Sequence, residues 1–176
     1  IFLDLETTGL DAHRCLTSLI GILYRQGDQF RLQQWYSGDC IDEARQLHRL
    51  LRLLRRFERV VTYNGDRFDL PFLETRWKWH RLESIHRLTS EDLLPVVRGK
   101  YRREWPNCRL PTAEERLLGI PRSEQDVPGS EAPRRCQDVV EGAPASVIEP
   151  IFLHSRRDLL SLVALRKVLM PATICS

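Results

Sequence analysis

Alternation and apolar runs divide the chain into strands and helices. Residues 1–5 (Ile-Phe-Leu-Asp-Leu) form an apolar strand that ends in acids. Residues 17–25 and 29–36 alternate as paired strands do, and Gln26-Gly27-Asp28 between them predicts a hairpin turn. Asp42 suits the cap of a helix over about 43–56. That helix carries Leu47, Leu50, Leu51 and Leu54 on one stripe and Arg49, Arg52 and Arg56 on the opposite one. The arginine stripe reads first as a solvated face and second as an anion-binding one. Residues 59–63 form a short buried strand, ended by Asn64-Gly65, and Pro71 suits the first turn of a helix over about 70–81. Residues 84–88 allow a further short strand, and Asp92 opens a short helix. From about 99 to 144 the chain is rich in Pro and Gly and keeps no period, as a connector with two short helices near 112–118 and 131–141 would. A final helix is expected from near Pro150 to about 169, with Leu153, Leu159, Leu160, Leu162 and Val163 buried. A strand hairpin followed by helix–strand–helix–strand predicts an α/β fold, a mixed sheet with helices on both faces.

Composition narrows the class. A chain of 176 residues holds one domain, expected to span 1–176. With 42% hydrophobic and 29% charged residues it is ordinary globular protein, which excludes wholesale disorder and a disulfide scaffold. No apolar run approaches the ~20 residues of a bilayer span. Cysteines 15, 40, 108, 136 and 175 show no metal or redox spacing and read as reduced thiols of a cytoplasmic protein. The chain opens on a core strand without Met, so an N-terminal segment of a longer protein is expected to be missing. The net charge of +3 permits a polyanionic partner without requiring one.

Three places put carboxylates where a fold has no need of them. Asp4 and Glu6 are two apart on a strand, so they project from one face, beside apolar Phe2, Leu3 and Leu5. Two adjacent carboxylates repel, and a cation removes the conflict; capping of the following turn accounts for one acid more easily than two. Asp69 follows the strand 59–63 at a helix start, where capping is the common role, and Asp66 reads as a loop acid. His154 and Asp158, four apart, share a helical face about 6 Å apart along the axis. Taken together, four acids from three elements suit Mg²⁺ or Mn²⁺, and the lack of Cys/His clusters argues against zinc. Two such ions ~3.5–4 Å apart serve in-line attack on a phosphodiester, with His154 placed to take a proton from water.

With these residues in view, the chain resembles the DEDD exonucleases of the ribonuclease H-like superfamily. Asp4-Leu5-Glu6-Thr7-Thr8-Gly9-Leu10 is similar to their first motif, Asn64-Gly65 with Phe68-Asp69-Leu70-Pro71 to the second, and His154 with Asp158 to the third. It resembles most the bacterial YprB-type ribonuclease H-like domain. That group shares Asp92-Leu93-Leu94, the Leu-rich stretch from Leu110 to Gly119, and Asp126-Val127-Pro128-Gly129. The resemblance implies a five-stranded mixed sheet whose second strand is antiparallel. It implies a 3′–5′ exonuclease acting on single-stranded DNA or RNA through two Mg²⁺ or Mn²⁺ ions, with Asp4, Glu6, Asp69 and Asp158 as ligands. His154 would be the general base, and the main chain around Thr7 and Thr8, with Asn64, would hold the terminal nucleotide. Two departures stand out. Three residues separate His154 from Asp158, the spacing of the tyrosine type, where the histidine type has four; this turns the imidazole by about 100° around the helix. Ser155 stands where YprB-type domains often have Asn.

Cations and aromatics interleave at Arg98, Lys100, Tyr101, Arg102, Arg103 and Trp105, and at Trp77-Lys78-Trp79-His80-Arg81. Such mixtures suit a single-strand groove, while core packing of Trp77 and Trp79 is an equal alternative. Arg156 and Arg157 sit beside the third motif, able to meet phosphate or to offset local acids. Two other functions compete. Haloacid dehalogenase phosphatases open with a strand and two acids, but they use Asp-x-Asp and a later acid pair that this chain lacks. A non-catalytic nucleic-acid-binding module of a larger repair or helicase protein, with fused or partner domains, is the remaining alternative.

Overall fold

A computed structural model describes residues 1–83, 87–123 and 131–171. Five strands, β1 (Phe2–Thr7), β2 (Thr17–Gln26), β3 (Gln29–Tyr36), β4 (Arg59–Thr62) and β5 (Thr89–Asp92), form one sheet in the order β3-β2-β1-β4-β5. β2 runs antiparallel to β1 and β3, while β4 and β5 run parallel to β1. Gly27, at φ 60°, gives the left-handed step in the two-residue turn between β2 and β3. The mixed α/β sheet with an antiparallel second strand is the one the resemblance implied.

Alternation along β1 sorts the two faces. Leu3 and Leu5, with Ile20, Ile22 and Trp35, pack under α1 (Cys40–Leu54) and α2 (Asp69–Trp79) through Leu47, Leu50, Leu54, Leu73 and Trp77. Phe2 and Val61 face the other layer of α3 (Leu93–Tyr101), α4 (Leu110–Ala113) and α6 (Glu149–Leu169), with Leu93, Val97, Leu162 and Leu165. A π-helical turn, Glu114–Leu118, continues α4 and ends at Gly119, where φ is 68°. α5 (Ala132–Val140) lies against β1 and places Ala132 beside Leu19 and Ile151.

The structure corrects several sequence expectations. Asp39, not Asp42, caps α1, accepting from the Ile41 and Asp42 amides; Asp42 lies in the first turn and pairs with Arg45. The fifth strand is 89–92 rather than 84–88, and residues 84–86 lie outside the described residues, as do Asp126-Val127-Pro128-Gly129 and Cys175. Leu153 and Leu160 are 60% and 50% exposed, because α6 is apolar on two stripes and its packed one runs through Ile151, Leu159, Leu162, Leu165 and Leu169. Cys15, Cys40, Cys108 and Cys136 are free thiols. Among the described residues no helix is long and apolar enough to cross a membrane.

Candidate active site

The first two acids sit where β1 alternation puts them, on the α6 side of the sheet. Gly21 of β2 pairs with Asp4 and makes room for α6: a Cβ there would lie 2.5 Å from Ser155 Oγ and 3.0 Å from Leu159 Cδ1. The register of β1 on β2 shifts between Glu6 and Thr7, a bulge at the end of the strand. Asp69 reaches the same place by a different route. β4 stays in register with β1 only at Phe2–Val61, then turns away through Asn64, which holds φ 69°. The turn opens α2, and Asp69, in its first turn, takes up the amide that β4 leaves free: Leu5 N–H donates to Asp69 Oδ1 at 3.1 Å. Asp69 is therefore no helix cap in the side-chain sense; it is tied to β1. Asp92 does cap, receiving the Leu94 amide, and its Oδ1 also accepts from Asn64 N–H at 2.7 Å, which fixes the β4–α2 turn.

α6 brings the third pair. His154 Nε2 lies 3.6 Å from Asp158 Oδ2 and 4.0 Å from Glu6 Oε1. Asp4, Glu6, Asp69 and Asp158 act on one another electrostatically. Burial pushes all four carboxyls up, and the charge of the neighbouring acids adds to it at Asp4, Glu6 and Asp69. Glu6 reaches about 8 and Asp69 about 7; at Asp69 the amides of Leu5 and of Asp69 itself offset part of the rise. Asp158 is raised by burial and eased by His154 and Arg122. The Ser155 hydroxyl lies beside Asp4 and eases its charge, though it stops short of an ordinary hydrogen bond, and Asp4 Oδ2 is buried without a partner.

Sequence reading missed Arg122 and Glu114. Arg122 enters from the connector and donates to Asp158 Oδ1, to both oxygens of Glu114 and to His154 Nδ1 at 3.3 Å. Arginine only donates, so Nδ1 accepts and the ring proton sits on Nε2, facing the acids. Glu114, fully buried in the π-helical turn, also accepts from Ser161. Nothing in the Pro-rich connector marked Arg122, since its role depends on tertiary folding alone. Glu114 lies inside the Leu-rich stretch noted from sequence, where nothing in the pattern singles it out.

The expected substrate residues fare differently. Thr7 Oγ1 donates to Gly9 O and Thr8 Oγ1 accepts from Leu16 N–H, and in the main chain expected to meet the nucleotide the Thr8 amide donates to Leu16 O at 3.0 Å. Asn64 lines a hollow of about 390 Å³ with Arg98, Asn107 and Arg109. Tyr101 and Trp105 stack on each other at 4.3 Å and pack against the α3/α6 core. Trp77 is buried in the core, while Trp79 is 53% exposed with Arg76 over its ring. Arg157 is engaged with Pro121 O and Glu114.

The donor set suits a hard divalent cation: four crowded carboxyls, one buried oxygen without a partner, and a shared excess of negative charge. As the side chains stand, no three His, Cys, Asp or Glu groups among the described residues close on one point tightly enough to hold an ion. Asp158 is drawn instead onto Arg122, whose guanidinium supplies positive charge to the cluster.

Known proteins resemble the chain in sequence and in fold. A family model of the RNase_H superfamily matches residues 1–170. The chain is 32% identical over 108 residues to the uncharacterized protein YprB of Bacillus subtilis (strain 168), covering 60% of this chain and 26% of YprB. It thus spans about a quarter of the length of that relative. It is 27% identical to the uncharacterized protein MJ0365 of Methanocaldococcus jannaschii, over 96% of this chain and 93% of MJ0365. A solved family B DNA polymerase from Pyrobaculum calidifontis shares the fold, with a TM-score of 0.77 at 17% identity over 97% of this chain and 24% of the polymerase. A sheet ordered β3-β2-β1-β4-β5 with acids on the central strand, matched by one family model over nearly the whole chain, shows that this protein belongs to the RNase_H superfamily.

Proposed function

We propose that the chain is a metal-dependent nuclease domain, a 3′–5′ exonuclease that hydrolyses phosphodiester bonds at the end of single-stranded DNA or RNA. The observation that carries the reading is the convergence of Asp4, Glu6, Asp69 and Asp158 from β1, α2 and α6 into one mutually repelling cluster beside His154. Those four acids would hold two Mg²⁺ or Mn²⁺ ions, which when bound supply activation of water and charge stabilisation at the leaving oxygen. The protein's own part is positional. β1 and the Leu5 amide fix Asp4, Glu6 and Asp69 against one another, and α6 carries Asp158 and His154 as a unit. His154 would take the proton of the attacking water at its acid-facing Nε2, which requires the ring proton to sit on Nδ1 in place of the Arg122 contact. The main chain at Thr7 and Thr8, together with Asn64, would receive the terminal nucleotide. The 36% identity over 63 residues to DNA polymerase 1 of Aeropyrum pernix supports a nucleic-acid substrate.

The Arg122–Asp158 pair favours a second reading, a nucleic-acid-binding module with no turnover, since an arginine already neutralises one expected ligand. Incubation of a 5′-labelled single strand with Mn²⁺ separates the two. Stepwise shortening that is abolished by chelator and by Asp69→Asn supports the nuclease. Tight binding with an intact strand in every divalent metal supports the module.

A further inference from the structure

The opposite face of the sheet carries a second feature that the acid cluster does not use. Between α1 and β3 runs a groove of about 520 Å³, floored by Trp35, Gln33 and Leu53 and walled by Arg45, Arg49, Arg52 and Arg56. No carboxylate lines it among the described residues. Gln33 and Trp35 pair with Ile22 and Ile20, which place the groove on the α1 side, away from Asp4 and Glu6. Arg45, Arg49 and Arg52 follow spacings of four and three, which keeps them on one helical stripe, and Arg56 lies in the turn that follows α1. All four are exposed. Arg45 pairs with Asp42 at 3.1 Å, whereas Arg49, Arg52 and Arg56 have no carboxylate partner among the described residues. Arg49 is held over the Trp35 ring at 4.1 Å, which fixes its guanidinium at the floor and covers that indole, and the exposed His48 ring also lines the groove.

We infer that this groove is a second nucleic-acid site, one that grips phosphates rather than bases. From Arg45 to Arg52 the helical row runs about 10 Å at 1.5 Å per residue, and Arg56 extends it just past the end of α1. Guanidiniums that meet phosphates and not base edges give binding that is independent of sequence and steep in salt. The site lies on the far face of the sheet, so it holds a part of the substrate remote from the end at the acids. The choice of nucleic acid among polyanions rests on the nuclease reading above; the groove itself does not.

The test is fluorescence anisotropy with a labelled 20-nucleotide strand, in chelator, over a series of salt concentrations. Arg49→Gln, Arg52→Gln and Arg56→Gln combined should weaken binding at least tenfold and lower the salt slope by about 2, at about 0.7 for each single-strand phosphate left without its cation. The corresponding triple lysine variant should keep the slope. Should the glutamine variant melt early, Arg52→Glu alone, at an exposed position, carries the same test with a slope change of about 0.7 or more. Hydrolysis of a dinucleotide with Mn²⁺, too short to reach both faces, should be unchanged by the glutamine variant. Glutamine-variant binding within twofold of wild type at the same slope overturns the site. Displacement of the strand by poly-glutamate at equal charge overturns its assignment to nucleic acid in favour of an acidic protein partner. If the wild type never cleaves but the arginines still set the slope, the groove stands and the nuclease reading falls.

Discussion

Glu6 and Asp69 are held at about 8 and about 7 by burial and by their acidic neighbours, so near neutrality the cluster shares protons that isolated carboxyls would have lost. Removing one member relieves the others. In chelator at pH 8, Asp69→Asn should melt above the wild type by about 2–4 °C, since the amide oxygen still accepts from Leu5 while the charge is gone. A lower melting temperature by calorimetry would show that repulsion does not govern the cluster. A different balance holds on the α1 side. Burial alone would push Glu43 up, but Arg76, His80 and the Thr17 amide outweigh it and hold its carboxyl below the usual range. Arg76 also donates to Ala12 O, so this pair anchors the loop after β1. Glu43→Gln leaves a buried guanidinium short of its counter-charge and should cost about 3–5 kcal/mol in urea unfolding. Asp4 and Glu6 were legible from the period of two along one strand. The reach of Asp69 to Leu5 was not, because it depends on where β4 parts from β1. Nothing in the pattern pairs Arg76 with Glu43, whose contact exists only where two helices meet.

Among the elements, α6 matters most to the site, and its height over the sheet is set by Gly21. Gly21→Val puts branched carbon against Ser155 and Leu159, so the helix must lift or tilt with His154 and Asp158 aboard. Mn²⁺-dependent hydrolysis should fall at least tenfold, with circular dichroism unchanged at 25 °C. Full activity would mean that the close approach of α6 to β2 does not position the pair. Sequence patterning placed the hairpin, α1, β4, α2 and α6 within a few residues, since each has a strong period or a Gly/Pro stop. It misassigned the α1 cap because Asp39 and Asp42 are equally good oxygen donors and only backbone geometry selects Asp39. It misassigned Leu153 and Leu160 because a leucine-rich helix offers two apolar stripes, of which the sheet takes one.

At the scale of the molecule, two sets of acids pull stability in opposite directions with pH. Glu43 and Glu91 have folded pKa values below the ordinary 4.5; at Glu91 burial pushes up, but Arg166 and Arg59 outweigh it. Their contribution is present above about pH 4.5 and is lost as pH falls below it. The site acids are raised, so the native state binds more protons than the unfolded chain between about pH 4 and 8, and stability drops as pH rises through that window. The metal-free protein should therefore be most stable in mild acid. Its melting temperature, read by scanning calorimetry, should decline from pH 5 to pH 8; a steady rise over that range would contradict the balance. The family and the antiparallel second strand were within reach of the sequence through its resemblance, because three short motifs keep their order along the chain, whereas the strand order was not. Arg122 and the groove between α1 and β3 belong to the folded whole, where distant segments first meet.

Calorimetric titration of the chain with Mn²⁺ at pH 8 tests most directly whether Asp4, Glu6, Asp69 and Asp158 form one cation site. About two ions should bind per chain, and Asp4→Asn and Asp69→Asn should each remove or weaken that binding at least tenfold. No heat of binding, or binding that both substitutions leave intact, would contradict it.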